Sequence, residues 1–515
     1  MKKKKNILII MADQLGASFI NCYGSGVDST PTIDSLASKG MLFERCYATS
    51  PVCAPNRASM LTGRSPIVHG ITRNNYVLSN DLPTFAHVLR DSGYTTAHFG
   101  KLHQTPMSLD VPRDLSYLGF DYFVVTEDMK WGPYLEWVQD NYPEHYEHVL
   151  SYCWWYGLRN LSDDEKEQYK NVNSDILGKL KETTEWNQMY SSTLPAKLHD
   201  TTYITNCTID FLDKQHSEDK PFVCQVSFVD PHDPYDPPAP YDKMFSPDDM
   251  PEPIPKDWDD DSFLSTRVFL GYEKITDNAG ANKKLRALYH GSIRFIDDQI
   301  KRIVNKLSEL NILDDTIIVF TTDHGDALGD HGLITKGVVH YDASIRVPLI
   351  VYGSDIAVGK TNRLTCTLDF FPTFCDIAEI TEMRPPNEGN SFYNELCGKQ
   401  GEYIDAVSVA VADAFSVVTD DGFRLTMFPT HNEGQMFDLV NDPKEQKNLY
   451  YDSNYADKKI ELLEKLAIVT QKPTRIPQYR NMPVYNGYKV KMEDPNSSDC
   501  EIVSKIYNIG KSEYL

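Results

Sequence analysis

Five short apolar runs, Ile7–Met11, Thr95–Phe99, Phe222–Phe228, Thr316–Thr321 and Val347–Val351, show no alternation of hydrophobic and polar positions. Uninterrupted runs of this length predict strands covered on both faces, as in parallel sheets. Between them, Ile33–Lys39, Leu82–Ser92 and Leu285–Leu310 repeat apolar residues at i, i+3 and i+4, the helical period. In the last segment Ile293, Ile296, Ile300, Ile303, Val304 and Leu307 fall on one stripe. Strands alternating with amphipathic helices predict an α/β protein, with a large, mostly parallel sheet sandwiched by helices.

The pattern changes at residues 383–390, where Arg384-Pro385-Pro386-Asn387-Glu388-Gly389 reads as a linker or turn. Beyond it lie shorter strand candidates, Ala406–Val411, Phe415–Thr419 and Phe423–Met427, the last two joined by the hairpin signal Asp420-Asp421-Gly422. An amphipathic helix over Asp457–Val469 follows. These predict a smaller C-terminal α+β subdomain, a four-stranded sheet with one helix. The expected organisation is therefore a catalytic domain over 1–385, the small-sheet subdomain over 386–472 and a wrapping tail over 473–515. Residues 125–198 form an insertion carrying Trp131, Trp137, Trp154, Trp155 and Trp186. Its first reading is packing onto the main domain, because large aromatics are mostly buried; stacking on sugars or aryl groups is the alternative.

Composition narrows the function. The 515-residue chain has a formal net charge of −23. Such a surface is unsuited to the phosphate backbone, which excludes nucleic acid as the expected partner. A polyanion would need a local basic pocket within this acidic field. The ten cysteines are scattered without a C-x-x-C pair, so neither a zinc site nor a dense disulfide framework is expected. That usage fits a reducing compartment. Four lysines precede Asn6–Ala12, but the apolar run stops at Asp13, so it reads as a strand rather than a signal peptide. No stretch approaches the ~20 apolar residues of a membrane span. The expectation is a cytoplasmic protein without membrane contact.

Two clusters of hard donors stand at strand ends. Asp13-Gln14 follows the first strand, and Asp323-His324-Gly325-Asp326 follows Thr316–Thr321. Open α/β sheets place their ligands at strand C-termini, and oxygen donors of this kind suit a divalent cation. A helix N-cap is the competing role for Asp13. Further chemistry sits in Cys53-Ala54-Pro55-Asn56-Arg57, followed by Ala58-Ser59-Met60-Leu61-Thr62-Gly63-Arg64. Gly100-Lys101-Leu102-His103 follows the second strand, Pro231-His232-Asp233-Pro234 follows the third, and Lys336 lies in Gly329–Gly337. C-x-P-x-R alone is a weak signal.

The longer string, with Leu-Thr-Gly-Arg after Cys-x-Pro-x-Arg, resembles the signature of type I formylglycine-dependent sulfatases of the alkaline phosphatase-like superfamily. The resemblance extends from about Ile7 to Leu449. It implies that a formylglycine-generating maturase oxidises Cys53 to Cα-formylglycine. One hydroxyl of the hydrated aldehyde then attacks sulfur beside a divalent cation, and the second expels sulfate without attack by water. The resemblance further implies Asp13, Gln14, Asp323 and His324 as metal ligands. Calcium is the first expectation and manganese the second, since His324 is softer than an ordinary calcium ligand. By the same resemblance, Arg57 lies beside the formylglycine, Lys101 and Lys336 hold the sulfate, His103 acts on the diol and His232 protonates the leaving group. Asn74 is a candidate substrate-binding residue, with a turn role equally open. Asn56 departs from the serine often found at its position.

The implied function is a sulfatase acting on a small sulfated substrate, with sulfated mono- or oligosaccharides among the candidates. One rival is a phosphonate monoester or phosphodiester hydrolase of the same superfamily, whose members carry uncharged hydroxyl residues where this chain has Lys101 and His103. A non-catalytic sulfatase-like binding protein is the rival of another class; it predicts loss of a catalytic group, and none is lost. The long tail hints at subunit contacts, which leaves an oligomer open without fixing the oligomeric state.

Overall fold

A computed structural model describes residues 4–106, 114–130, 132–150, 152–153, 188–218, 220–259, 262, 278–337, 339–380, 384–412 and 414–471. The tail over 473–515 and Trp131, Trp154, Trp155 and Trp186 lie outside the described residues.

The apolar runs form the centre of a nine-stranded sheet. Its strands are β1 (Asn6–Ala12), β2 (Met41–Tyr47), β3 (Thr95–Gly100), β4 (Tyr122–Val125), β5 (Phe222–Ser227), β6 (Thr316–Thr322), β7 (Arg346–Tyr352), β8 (Gly359–Thr361) and β9 (Thr365–Cys366). The order is β4-β3-β5-β1-β6-β7-β2-β8, with β9 also on β2. From β4 to β6 every neighbour is parallel, and all of β1, β3, β5 and β6 is buried. The run Val347–Val351 is covered on both faces as its pattern predicts, yet β7 pairs antiparallel with both β6 and β2. Coverage by helices, not strand direction, produces an unbroken apolar run.

Helices α1 (Pro31–Ser38), α2 (Cys53–Thr62), α3 (Phe85–Asp91), α4 (Asp200–His216), α5 (Ala279–Glu309) and α6 (Phe370–Ile377) surround the sheet. The stripe of α5 packs Ile293, Ile296, Ile300 and Ile303 into a core shared with Leu8, Ile10, Cys224, Val226, Ile318 and Phe320. Asn278 caps α5, its side chain accepting from Ala281 N–H at 3.1 Å. The helix starts at Ala279, six residues before the expected Leu285; the pattern left this first part unmarked because Ala279–Lys284 carries little of the apolar stripe.

The C-terminal sheet is antiparallel, in the order β10 (Ala406–Val411), β11 (Ala414–Thr419), β12 (Phe423–Phe428) and β13 (Glu433–Asp438). One helix, α7 (Ala456–Gln471), lays Leu462 and Leu466 against Val417, Leu425 and Met436. The four strands and one helix match the expectation. The sheet meets the main body through Tyr47, Ile345, Val407 and Val409 and through Ala410 N–H donating to Thr49 O at 2.8 Å. In the aromatic insertion, Trp137 packs on Tyr134, Tyr142 and Tyr203, in line with its packing reading.

At the end of β3, Gly100 has φ +102°, and a Cβ there would stand 1.9 Å from Ser227 O. Lys101 N–H donates to that same carbonyl at 2.8 Å. Gly100→Ala is therefore expected to cost at least the roughly 1–3 kcal/mol of a strained backbone position. The check is a lower urea midpoint with an unchanged slope.

Candidate active site

The five parallel strands deliver their C-terminal ends to one edge of the sheet. Asp13 and Gln14 follow β1, Lys101 and His103 follow β3, His232 follows β5, and Asp323 and His324 follow β6. All seven are buried. Across this edge lies α2, which begins at Cys53 and is buried along its whole length. Pro55 fits the first turn, where the N–H is not needed for the helix, and Gly63 closes the helix with φ +64°. No amphipathic stripe marks α2, because it is covered on every side.

Arg57, one turn into α2, ties the edge together. Its Nε donates to Asp323 Oδ2 at 2.7 Å and its Nη2 to Asp13 Oδ2 at 3.2 Å. Its Nη1 donates to Lys101 O at 2.7 Å and to Ser227 Oγ at 2.8 Å. Asn56 takes a second set of bonds: its Nδ2 reaches Asp323 O, and its Oδ1 accepts from Thr49 N and from the Thr49 and Thr367 hydroxyls. A serine could not span these partners, which explains the departure at this position.

Asp13, Cys53, Asp323 and His324 each offer a donor atom, all within 4.8 Å of one another. His324 Nδ1 lies 2.9 Å from Gly325 O. That contact favours the Nδ1–H tautomer and leaves the Nε2 lone pair facing the carboxylates, as a ligating imidazole requires. Gln14 Nε2 donates to Asp326 Oδ2 at 2.6 Å, which turns Oε1 away from Asp326 toward Lys336. The donor chemistry thus fits a divalent cation held by hard oxygens with one imidazole.

Cys53 Sγ lies 3.0 Å from His324 Nε2 and 3.9 Å from both Asp13 Oδ1 and Lys101 Nζ. Burial alone would raise its thiol, but the Lys101 and Lys336 ammonium groups lead the groups that hold it well below the ordinary range. The α2 N-terminus favours negative charge at the same point. Lys336 Nζ contacts Gln14 Oε1 and His232 Nε2. Burial and Lys336 lower His232, yet Asp233 and Asp128 push it up to about 9. Asn74 sits beside this group, its Oδ1 accepting from Ala54 N–H at 3.1 Å.

The sulfatase family profile matches residues 5–380, and the profile of the N-sulphoglucosamine sulphohydrolase C-terminal region matches 329–472. The chain belongs to the sulfatase family. It is 30% identical to an arylsulfatase of Clostridium perfringens over 90% of this chain and 94% of that protein. It is 25% identical to an N-acetylglucosamine-6-O-sulfatase of Bacteroides thetaiotaomicron over 96% and 91% of the two chains. Among solved structures, the phosphonate monoester hydrolase of Agrobacterium radiobacter superposes with a TM-score of 0.71 at 23% identity, covering 91% of this chain and 96% of that one. A structure holding its substrate D-glucosamine-2-N,6-O-disulfate superposes with a TM-score of 0.67 at 22% identity, covering 94% and 100%. The reaction class of this sulfatase is sulfuric ester hydrolysis, and its family implies a divalent metal.

Several groups at the site had no role assigned from the sequence, although Asp326 stood in the donor cluster after Thr316–Thr321. Asp326 orients Gln14 and also accepts from Tyr235 OH at 2.6 Å and from the Leu328 and Thr335 amides. Glu127 and Asp128 come from the turn after β4, a strand too short to stand out in the sequence. Behind the site, Lys130 pairs with Asp200 at 3.0 Å beside His199, Asp230 and Asp236. Burial, with Asp230 and Asp200, pushes the Asp236 carboxyl up to about 8 against the pull of Lys130.

Replacing Arg57 by alanine leaves two buried carboxylates without their shared cation. Loss of one partner from such a set costs roughly 3–5 kcal/mol. Arg57→Ala is expected to lower Tm sharply in EDTA and by less when calcium is added, because a cation bound at Asp13 and Asp323 replaces part of the lost charge.

Proposed function

We propose that this sulfatase works through a Cα-formylglycine at position 53, made from Cys53 by a maturase, with one calcium ion held by Asp13, Gln14, Asp323 and His324; manganese is the alternative metal. The observation that carries this reading is the place of Cys53: buried, at the α2 N-terminus, between the donor carboxylates and the Lys101 and Lys336 ammonium groups. A bound divalent cation would supply charge that stabilises an oxygen nucleophile and the sulfate it attacks.

The chain's own residues do the rest. Lys101 and Lys336 neutralise sulfate oxygens from two sides. One hydroxyl of the formylglycine hydrate gives its proton to the Asp13 carboxylate, which lies 3.9 Å from Sγ at position 53, and bonds to sulfur as the ester S–O bond breaks; His232 gives its proton to the departing alkoxide. His103, whose ring faces position 53, then takes a proton from the second hydroxyl. The aldehyde re-forms and sulfate leaves. Arg57 holds the two carboxylates in place throughout. Asn74 lines the rim of the sulfate site.

A small sulfated saccharide is the proposed substrate class, supported by the names of the glucosamine-directed relatives. Nine described cysteines are all free thiols, which supports a reducing, cytoplasmic setting. No described helix is long and apolar enough to cross a membrane. The phosphonate reading draws support from the fold it shares with such hydrolases; Lys101 and His103, standing where those hydrolases carry uncharged hydroxyl residues, favour the sulfatase reading.

The deciding measurement is kcat/KM for an aryl sulfate against the matching aryl phosphonate monoester, with matured enzyme and Cys53→Ala as the blank. A ratio well above one, lost in the blank, is expected; a ratio well below one would hand the site to the phosphonate reading. A general acid at His232 must be protonated, and its pKa is about 9. Rates on esters with poor leaving groups should therefore fall as pH rises through about 9. Rates on esters with good leaving groups should lack that descending limb.

A further inference from the structure

The turn that follows β4 is buried from Thr126 to Lys130. Glu127 Oε1 accepts from His103 N–H at 2.8 Å, anchoring a turn in which His103 has φ +55°. The next residue, Asp128, pairs with Lys101 Nζ, the ammonium that also contacts Asp13 and lies 3.9 Å from Cys53 Sγ. Its side chain is 3% exposed. Burial pushes the Asp128 carboxyl up, but Lys101, His232 and His103 outweigh it and hold the group below the usual carboxylate range. Asp128 is thus a fixed anion facing Lys101, His103, His232 and position 53, inside a site whose task is to bind an anion.

We propose that Asp128 is a specificity-determining residue, a built-in negative charge that admits a monoanionic ester and rejects a dianionic one such as a phosphate monoester. The inference rests on the sulfatase reading above. A sulfate ester carries one negative charge. A phosphate monoester, whose second pKa is ≈ 6, carries nearly two above neutrality. The two groups share a tetrahedral shape and the same set of oxygens, so pocket shape cannot separate them; charge can. Lys101, Lys336 and His232 alone would favour the more highly charged ester. A carboxylate set among them repels a dianion about twice as strongly as a monoanion, and it does so where water screens poorly. Specificity of this kind uses a repulsive element as well as attractive ones.

The test compares matured wild type, Asp128→Asn and Asp128→Glu, metal-loaded, at about pH 8. Two quantities are read: kcat/KM for an aryl sulfate against the matching aryl phosphate monoester, and inhibition by inorganic sulfate against inorganic phosphate. In Asp128→Asn the preference for the sulfate ester should fall by at least about tenfold, the change expected from one nearby charge in a weakly screened site. Phosphate should gain on sulfate as an inhibitor. Asp128→Glu should restore the wild-type preference. Equal losses on both esters, with the preference and the inhibitor order unchanged, would show a purely structural role and overturn the inference alone. A wild type that cleaves the phosphate ester faster than the sulfate would overturn this inference together with the sulfatase reading.

Discussion

One guanidinium holds the site together. Arg57 bonds to Asp13 after β1, to the Lys101 carbonyl after β3, to Ser227 at the end of β5 and to Asp323 after β6. Four adjacent strand ends and the helix carrying Cys53 thus share one planar cation. Two buried carboxylates whose donor oxygens lie within 4.8 Å of each other repel strongly at low dielectric. They persist because Arg57, with its fixed fork of donors, satisfies both. Lysine could supply the charge but not the geometry.

Around that centre the structure alternates sign at short range. Lys101 stands between Asp13 and Asp128, Lys336 beside His232 and Gln14, and Asp326 beneath Gln14. Each charged group has a partner from a different strand end, so no single loop can move without uncovering a buried ion. Rigidity here is a product of electrostatic pairing more than of apolar packing. It is also what preorganised stabilisation of a reacting anion requires.

Much of this was legible in the sequence, for identifiable reasons. Strands β1, β3, β5 and β6 are covered on both faces and so read as unbroken apolar runs. Asp13, Lys101, His232 and Asp323 lie just past them, where the topology of an open sheet places ligands. What the pattern hid is equally specific. β2 went unread because its register shifts between Phe43 and Cys46, leaving Glu44 and Arg45 half-exposed in mid-strand. α2 is buried all round and shows no stripe. β13 is Glu-Gly-Gln-Met-Phe-Asp, too polar to signal a strand without its neighbours. Asp128 belongs to a turn whose residues have meaning only through Lys101, a contact across the sheet that local spacing cannot reveal.

The depth of Cys53 has a consequence in time. The thiol is wholly enclosed, and its ring partner His324 lies 271 positions further along the chain. If this cysteine is the one converted to an aldehyde, no second enzyme can reach it once the sheet edge has closed. At a synthesis rate of ~5–20 residues per second, roughly 15–50 s separate the emergence of Cys53 from that of His324. The conversion belongs to that interval, before β6 exists to seal it. On the proposed conversion of Cys53, the order of strands in the chain, with β6 late and its sheet position central, would set the period during which that chemistry can take place.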